Sequence, residues 1–306
     1  MNPLETTINN YLFYCKTQKR LDEKTLKAYR IDLGQFNNYS TRTNVTEITI
    51  DDLESFIAHL HNSFKPKTAK RKIASLKAFF HYLEYKDIIT INPFNKIHIK
   101  FREPVTLPKV IPLPSLELFL KTIYKEHKYA KTVYQKNKTL KDITIIELLF
   151  STGIRISELC QLRKDDVNLI DNTILIYGKG SKERRIQIGN DDVTRILFDY
   201  QKCFYQQICS SGYFFPSKSG DPLSDQYVRK MINKYSSIAG INMHITPHMF
   251  RHTFATSLLE ADVDIRYIQE MLGHSSINIT EIYTHVATAK QKDILKNKHP
   301  RKDFVV

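Results

Sequence analysis

The sequence predicts a mainly α-helical protein of two domains, with one small antiparallel sheet in the second. Apolar residues recur at helical spacing through residues 1–101, and no good strand pattern accompanies them. Four prolines then fall between residues 104 and 114. Beyond them, two strand-like stretches stand among further helical segments. A chain of 306 residues is long enough for two such domains, each with its own core.

The first domain, residues 1–101, is expected to hold four helices. Leu21–Tyr39 places apolar residues at positions 26, 29, 33 and 36, and Thr68–Leu83 places them at 73, 76, 80 and 83. Each spacing makes one apolar helical face. The other side of the second segment carries Lys67, Lys70 and Arg71 near its first turn. This basic turn can lie against phosphate groups or in a major groove, or it can be a solvated face.

A proline-rich stretch, KFREPVTLPKVIPLPS, follows at residues 100–115. Proline removes a backbone donor and breaks a helix interior, so residues 102–113 are predicted to be an extended linker. The second domain then covers residues 114–306.

The second domain mixes helices with one hairpin. Ile143–Ser151 reads as a buried helix, and Thr173–Tyr177 and Arg184–Ile188 read as two strands. The residues between the strands, GKGSKE, have the glycines and polar side chains of a hairpin loop. Further helices are predicted at Asp191–Ile208, Ser224–Ser237, Thr246–Leu259 and Asp264–Leu272.

Composition narrows the class of protein. The chain is 42% hydrophobic and 25% charged, as in globular proteins, and no apolar run approaches the roughly 18 residues of a membrane span. The N-terminus lacks the pattern of a signal peptide, so a cytoplasmic protein without a membrane partner is expected. The four cysteines form no CxxC pair, which argues against a disulfide framework or a zinc cage.

The net charge of +14 indicates an anionic partner. Residues 1–110 hold 18 Lys and Arg against 11 Asp and Glu, and the remainder holds 28 against 21, so both halves carry the same excess. Two basic domains suit a clamp around a polyanion, most simply nucleic acid. A lysine-rich composition throughout the chain is the alternative interpretation.

Two stretches of the second domain carry candidate phosphate ligands. In STGIRISELCQL, Arg155 follows Gly153 at the start of a helix, and its planar guanidinium can bind two phosphate oxygens. In the hairpin loop GKGSKERR, Lys179 can give its proton to a departing alkoxide. Taken alone, Arg155 is better explained as a surface or ion-paired residue. The loop residues, Lys182 and Arg184 among them, can bind a DNA backbone without chemistry.

The third stretch, ITPHMFRHTFATSLLE, begins a helix with Thr246 as the N-cap and Pro247 as its first residue. His248 and Arg251 then share one helical face. The histidines at 244, 248 and 252 are spaced by four, but the first precedes the helix and no HExxH pattern occurs. No metal site and no cofactor are therefore expected.

The fourth stretch, LGHSSINITEIYTHV, spans residues 272–286. Gly273 ends one helix, His274 follows it, and Tyr283 lies on the border of the buried side of the next helix. A lone tyrosine at such a border can be a nucleophile or an ordinary packing residue.

Five motifs in one order, TGIRISEL, GKGSKER, HMFRHTFAT, LGHSS and IYTHV, resemble those of the tyrosine recombinases, the family of phage integrases and Xer recombinases. The resemblance spans essentially the whole chain. It implies an N-terminal four-helix core-binding domain and an α-rich catalytic domain with a small antiparallel sheet. The segment Tyr124–Asp142 departs from the family by looking longer than its usual connection.

The resemblance also implies roles. Arg155 and Arg251 match the two arginines that hold the scissile phosphate, and Tyr283 matches the nucleophile. His248 matches the base, Lys179 the acid and His274 a hydrogen-bond donor to the phosphorane. The predicted DNA contacts outside this set are Lys67, Lys70, Arg71, Lys182 and Arg184.

The family's reaction passes through a 3′-phosphotyrosyl link and a Holliday junction, with no metal or ATP. It implies four protomers on two DNA sites, with the C-terminal segment from Lys292 docking on a neighbour. A sister recombinase or accessory protein can take part. The role can be Xer-like or that of a mobile-element integrase or excisionase. Relaxation of DNA by a type IB topoisomerase reaction, and non-catalytic architectural binding, are the alternatives.

Overall fold

The computed structural model describes residues 3–99, 108–178 and 183–273 of the chain. The chain divides into two compact units, Met1–Thr106 and Leu107–Val306. Lys179, Lys182, His274, Tyr283 and the segment from Lys292 lie outside the described residues. Both units are mainly helical, and the predicted fold class is confirmed.

The first unit packs its helices around a core rich in aromatic rings. Phe36 contacts Phe56 and Phe80 edge to face, and all three are buried. A buried polar cluster joins two helices, since the Asp32 carboxylate accepts hydrogen bonds from Lys72 Nζ (3.0 Å) and Ser75 Oγ (2.8 Å). Paired in this way, a buried carboxylate is tolerated in the core. The α-helices of this unit's described part are α1 (Pro3–Thr17), α2 (Glu23–Tyr39), α3 (Ile50–Ser63) and α4 (Pro66–Tyr85).

The second unit is built around one long central helix, Val133–Thr152, which packs against helices on several sides. Its second half is apolar nearly all round, as a helix in the middle of a core requires. The described helices of this unit are α5 (Leu113–Lys128), α6 (Val133–Thr152), α7 (Ile156–Gln161), α8 (Asp191–Cys203), α9 (Tyr205–Ser211), α10 (Asp225–Ile238), α11 (Pro247–Glu260) and α12 (Ile265–Leu272).

A small antiparallel sheet lies in the second unit, with its strands in the order β1 (Val167–Asn168), β2 (Thr173–Tyr177) and β3 (Glu183–Gln187). Ile174 pairs with Ile186, and both side chains are buried on the same face. The hairpin of β2 and β3 agrees with the predicted strands to within one residue. β1 was not predicted, because two residues are too few to show an alternating pattern.

Two segments differ from the sequence predictions. Asp191–Ile208 is two helices, α8 and α9, which divide at Phe204. Tyr124–Asp142 is the end of α5 and the first half of α6, with Thr132 Oγ1 capping α6 by accepting from the Gln135 N–H (3.1 Å). None of the described helices has an apolar stretch long enough to cross a membrane.

The predicted linker, residues 102–113, is anchored to the second unit at its C-terminal end. Ile111 lies buried in that unit's core, and its N–H donates to Thr253 Oγ1 (2.8 Å). α5 begins at Leu113, one residue before the predicted domain start, with Pro114 in its first turn. A proline is tolerated there because first-turn N–H groups have no helical partner.

Candidate active site

The site begins at a corner where α6 ends. Gly153 ends that helix in the left-handed conformation, with φ of +60°. A Cβ atom at this position would lie 2.5 Å from Phe254 Cδ1 and 2.9 Å from Leu272 Cδ2. Real Cβ atoms do not approach so closely, so only glycine lets α11 and α12 pack against the end of α6.

Arg155 follows this corner as the N-cap residue of α7. Its backbone N–H donates to Glu158 Oε2 (2.8 Å) and its Nη1 donates to Glu158 Oε1 (2.8 Å). Its Nη2 donates to the Gly273 carbonyl oxygen (3.3 Å). One third of the side chain is exposed, so the guanidinium is fixed in direction yet open to a ligand.

Arg251 on α11 reaches the same place from the interior. Its Nη1 donates to the Gly153 carbonyl (2.8 Å) and its Nη2 donates to the Leu272 carbonyl (2.7 Å), while only 5% of the residue is exposed. The two predicted arginines therefore converge on consecutive carbonyls at the C-terminal end of α12. Cations are stabilised at such an end, where carbonyl dipoles point outward.

Arg184 lies on β3, and the sequence predicted it as a DNA contact. Its Nη1 and Nη2 donate to the two Glu158 carboxylate oxygens (3.0 and 2.7 Å), and its Nε donates to the Met271 carbonyl (2.9 Å). Only 10% of the side chain is exposed. Its guanidinium is thus engaged inside the site, where the side chain joins β3 to α7 and α12.

Glu158 is the residue of this site that the sequence reasoning missed. Its side chain is only 6% exposed, and burial by itself raises the pKa of a carboxyl group. Hydrogen bonds from Arg184 and from the Arg155 backbone outweigh that effect, so the pKa of Glu158 is lowered. The sequence did contain a signal for it, because a glutamate three residues after a helix N-cap is typical of a capping box, and Glu158 stands in that position after Arg155.

His248 lies on the first turn of α11, one helical turn before Arg251. Partial burial lowers the pKa of His248, and the positive charges of Arg229, Arg251 and Arg155 lower it further, against the opposing effect of Asp225. The lowered pKa favours the neutral ring, which is the form that can accept a proton.

The helix that carries His248 starts as predicted, with Pro247 as its first residue. Thr246 occupies the N-cap position, but its side chain makes no capping hydrogen bond. Within the described ranges, no group of three or more His, Cys, Asp or Glu side chains is arranged to hold a metal ion.

The predicted basic turn of the first unit lies at the start of α4. Lys67, Lys70 and Arg71 are all exposed there. The Arg71 guanidinium is also paired with the buried Asp32 carboxylate, and 47% of the Arg71 side chain remains exposed. Arg71 thus helps to hold α2 against α4 while presenting a cationic surface.

Comparison with known proteins gives matches in both units. Residues 120–290 match the Phage integrase family, and residues 8–86 match the Phage integrase, N-terminal SAM-like domain. A tyrosine recombinase of Agathobacter rectalis is 68% identical over 304 residues, which cover 99% of each chain. The tyrosine recombinase XerC of Staphylococcus epidermidis is 33% identical over 298 residues, covering 95% of this chain and 96% of that protein.

Solved structures show the same fold. The XerH site-specific recombinase bound to a palindromic difH substrate, a post-cleavage complex, aligns with a TM-score of 0.72 at 23% identity. The alignment covers 92% of this chain and 82% of that one. A lambda integrase tetramer bound to a Holliday junction aligns with a TM-score of 0.68 at 16% identity, covering 89% and 77%.

Proposed function

The chain belongs to the phage integrase family of tyrosine recombinases, and we propose that it exchanges strands between specific DNA sites with Tyr283 as the nucleophile. The observation that carries this proposal is the convergence of Arg155 and Arg251 on the carbonyls of Leu272 and Gly273, directly before His274 in the chain. Guanidinium groups fixed at one point bind the oxygens of a phosphate.

In the proposed first step, the Tyr283 oxygen attacks the scissile phosphorus in line. The bond from phosphorus to the 5′ oxygen breaks, a 3′-phosphotyrosyl link forms, and a 5′-hydroxyl is released. Phenol has an ordinary pKa of about 10, so a base must take its proton during the attack. His248 has that role, and its lowered pKa supports the assignment because the neutral ring is the form that accepts a proton.

The remaining groups act on the charge that develops at the phosphate. Lys179 donates a proton to the departing 5′ oxygen. Arg155, Arg251 and His274 stabilise the negative charge of the phosphorane, which exceeds that of the ground state. Glu158 positions Arg155 by accepting from its side chain and from its backbone.

The covalent link conserves the bond energy, because one phosphodiester bond is exchanged for another. The 5′-hydroxyl of a second duplex can therefore attack the phosphotyrosine and complete the exchange without ATP or a ligase. The cationic side chains stand where divalent metal ions act in many nucleases. We accordingly propose a reaction that needs no metal ion and no nucleotide.

The partner in this proposal is double-stranded DNA, bound by a homotetramer on two sites. The lambda integrase tetramer on a Holliday junction, which shares the fold, supports that stoichiometry. Lys67, Lys70, Arg71 and Lys182 are proposed to contact the DNA backbone, and the segment from Lys292 is proposed to dock on the neighbouring protomer. Arg184 is left out of the DNA contacts because its guanidinium is engaged with Glu158.

The test is a denaturing-gel assay with end-labelled duplexes taken from the DNA that flanks the gene and nicked to trap cleavage. The wild-type chain should give a slow, protease-sensitive adduct. Tyr283→Phe should abolish the adduct and leave retarded complexes on a native gel. Tyr267→Phe, which changes an exposed tyrosine of α12, should leave both unchanged.

Two results would contradict the assignment. An adduct that persists in Tyr283→Phe would exclude this tyrosine as the nucleophile. Specific retarded complexes without an adduct from the wild-type chain, on nicked duplexes and on Holliday junctions alike, would favour a binding protein over an enzyme.

A further inference from the structure

A second concave site lies in the second unit and shares no lining residue with the cleft around Arg155. It has a volume of about 760 Å³ and lies among α6, the loop of residues 216–222 and the first turn of α10. We call it the α6–α10 pocket. Its polar lining includes Tyr134, Lys138, Lys141, Lys218, Ser224 and Tyr227.

One face of α6 forms a wall of this pocket. The wall begins with Tyr134, and Asn137, Lys138 and Lys141 lie three, four and seven positions after it. Their side chains therefore lie along one stripe of the helix. They belong to the segment Tyr124–Asp142, for which the recombination chemistry has no use. Two lysines and one tyrosine of this segment, Lys138, Lys141 and Tyr134, thus face the pocket together.

Lys141 is the inner cation of the pocket. Its ammonium donates to the Pro216 carbonyl and lies 5.7 Å from the centre of the Tyr227 ring. Among the described residues, no carboxylate forms an ion pair with it. Burial lowers the pKa of Lys141 to about 8, while the charges of Asp142 and Cys160 oppose that shift. A negatively charged ligand would restore the stability of the charged ammonium.

The other charges of the pocket leave room for an anion. Lys138 pairs with the fully buried Asp142 carboxylate (2.9 Å), which also accepts from the Tyr227 hydroxyl (2.6 Å). Lys218 lies 5.3 Å from the centre of the Tyr134 ring. Asp221 lines the pocket too, but Ser219 Oγ donates to it (2.7 Å). Three ammonium groups thus line the pocket, while the buried Asp142, which is not part of the lining, is already engaged with Lys138 and Tyr227.

The far wall is preorganised. Pro216 and Pro222 form an isolated antiparallel β-bridge that closes the loop of residues 216–222. Within this bridge the Ser217 N–H donates to the Asp221 carbonyl (2.7 Å). Ser224 caps the N-terminus of α10 beside this loop, and the positive end of that helix dipole adds to the field of the lysines.

We propose that the α6–α10 pocket binds a nucleotide, with Lys138, Lys141 and Lys218 around its phosphate and the rings of Tyr134 and Tyr227 beside its base. Ammonium groups bind phosphate oxygens through charge-assisted hydrogen bonds. Tyrosine rings stack on the planar face of any base. A pocket of this volume, apolar and aromatic with a few charged groups, suits a small ligand. The nucleotide is either free in solution or part of a DNA strand.

The test is isothermal titration calorimetry of the full chain with AMP, ADP, ATP and inorganic phosphate at pH 8. Nucleotide should bind with an enthalpy that differs between Tris and Hepes buffers, because a bound anion makes Lys141 take up a proton. Lys141→Met should abolish that buffer dependence and weaken binding about tenfold or more, as expected for the loss of a charge-assisted hydrogen bond. Lys218→Ala, at an exposed position, should weaken binding similarly even if Lys141→Met folds poorly.

The control is Lys121→Ala, which removes an equal charge from an exposed lysine of α5 outside the pocket and should not change the affinity. A parallel arm titrates a short duplex at several salt concentrations. If only the duplex binds through these lysines, Lys141→Met and Lys218→Ala should each reduce the slope of log K against log salt concentration by about one. That result would assign the bound phosphate to DNA.

The inference would be overturned if neither the free nucleotides nor the duplex showed binding that depends on Lys141 and Lys218. The measurement is separate from the recombination chemistry, since Tyr283→Phe should bind nucleotide as the wild-type chain does. A failure of this inference and a failure of the proposed function would thus be told apart.

Discussion

Replacing Gly153 with alanine should distort the active site through two separable costs. The first is the left-handed backbone, which penalises a residue with a Cβ by roughly 1–2 kcal/mol. The second is the collision of that Cβ with Phe254 and Leu272, at 2.5 and 2.9 Å. Overpacking of this kind costs about 1–3 kcal/mol. The free energy of unfolding of the second unit should therefore fall by roughly 2–5 kcal/mol.

Gly240→Ala is the matched control. Gly240 also has a left-handed backbone, with φ of +67°, but a Cβ built there meets no atom within 4 Å. The effect of the substitution on the entropy of the unfolded chain is the same at both positions and cancels in the comparison. Urea unfolding of both variants should therefore show an additional loss of about 1–3 kcal/mol for Gly153→Ala, which is the cost of the collision alone.

The collision should also slow catalysis. Leu272, whose carbonyl accepts from Arg251, is one of the residues that must move. A misplacement of about 1 Å can cost a hundredfold in rate, so formation of the covalent adduct should slow by at least about tenfold in Gly153→Ala and stay near the wild-type rate in Gly240→Ala. Equal stability losses and equal rates in the two variants would refute the claim that α11 and α12 close tightly on Gly153.

Three further outcomes are expected. Because the folded-state pKa of Glu158 is lowered, its contribution to the free energy of unfolding is complete above about pH 4.3 and is lost as the pH falls through the folded-state pKa. Glu158→Gln should therefore have a lower free energy of unfolding at pH 7. Below pH 4.3, urea unfolding should show that its free energy of unfolding changes less with pH than that of the wild-type chain, and an equal change in both would argue against the lowered pKa. Single-turnover cleavage should stay constant from pH 8 down to about 6.5 and decline only below that value, because the pKa of His248 is lowered; a decline that begins above pH 7 would argue against His248 as the base. Cleavage should also continue in excess EDTA, and a loss of activity that Mg²⁺ restores would contradict catalysis by the side chains alone.

The sequence predicted those features of the site that depend on neighbours along the chain. Pro247 marked the start of α11 correctly, and the glycine at position 153 marked the end of α6. The three-residue spacing of His248 and Arg251 placed both on one helical face. Each of these signals is local, because caps and helical periodicity are written within a few residues.

The contacts that fix the arginines were not predictable in the same way. Arg251 meets the Gly153 carbonyl 98 positions away, and Arg184 meets Glu158 26 positions away. No local pattern encodes such distances. Arg184 did carry one overlooked signal, because alternation along β3 puts it on the same face as the buried Ile186.

The three arginines differ in the partners that fix them. Arg184 meets a carboxylate with both terminal nitrogens, so its charge is largely compensated and the pair acts as a structural tie. Arg251 donates instead to the backbone carbonyls of Gly153 and Leu272, which fix the direction of its guanidinium. Arg155 combines both arrangements, with Glu158 on one side and the Gly273 carbonyl on the other. Both side chains are fixed at the C-terminal end of α12, Arg251 by the Leu272 carbonyl and Arg155 by the Gly273 carbonyl. A phosphate that reaches this end would meet two guanidinium groups whose directions are already set, as the proposed catalytic step requires.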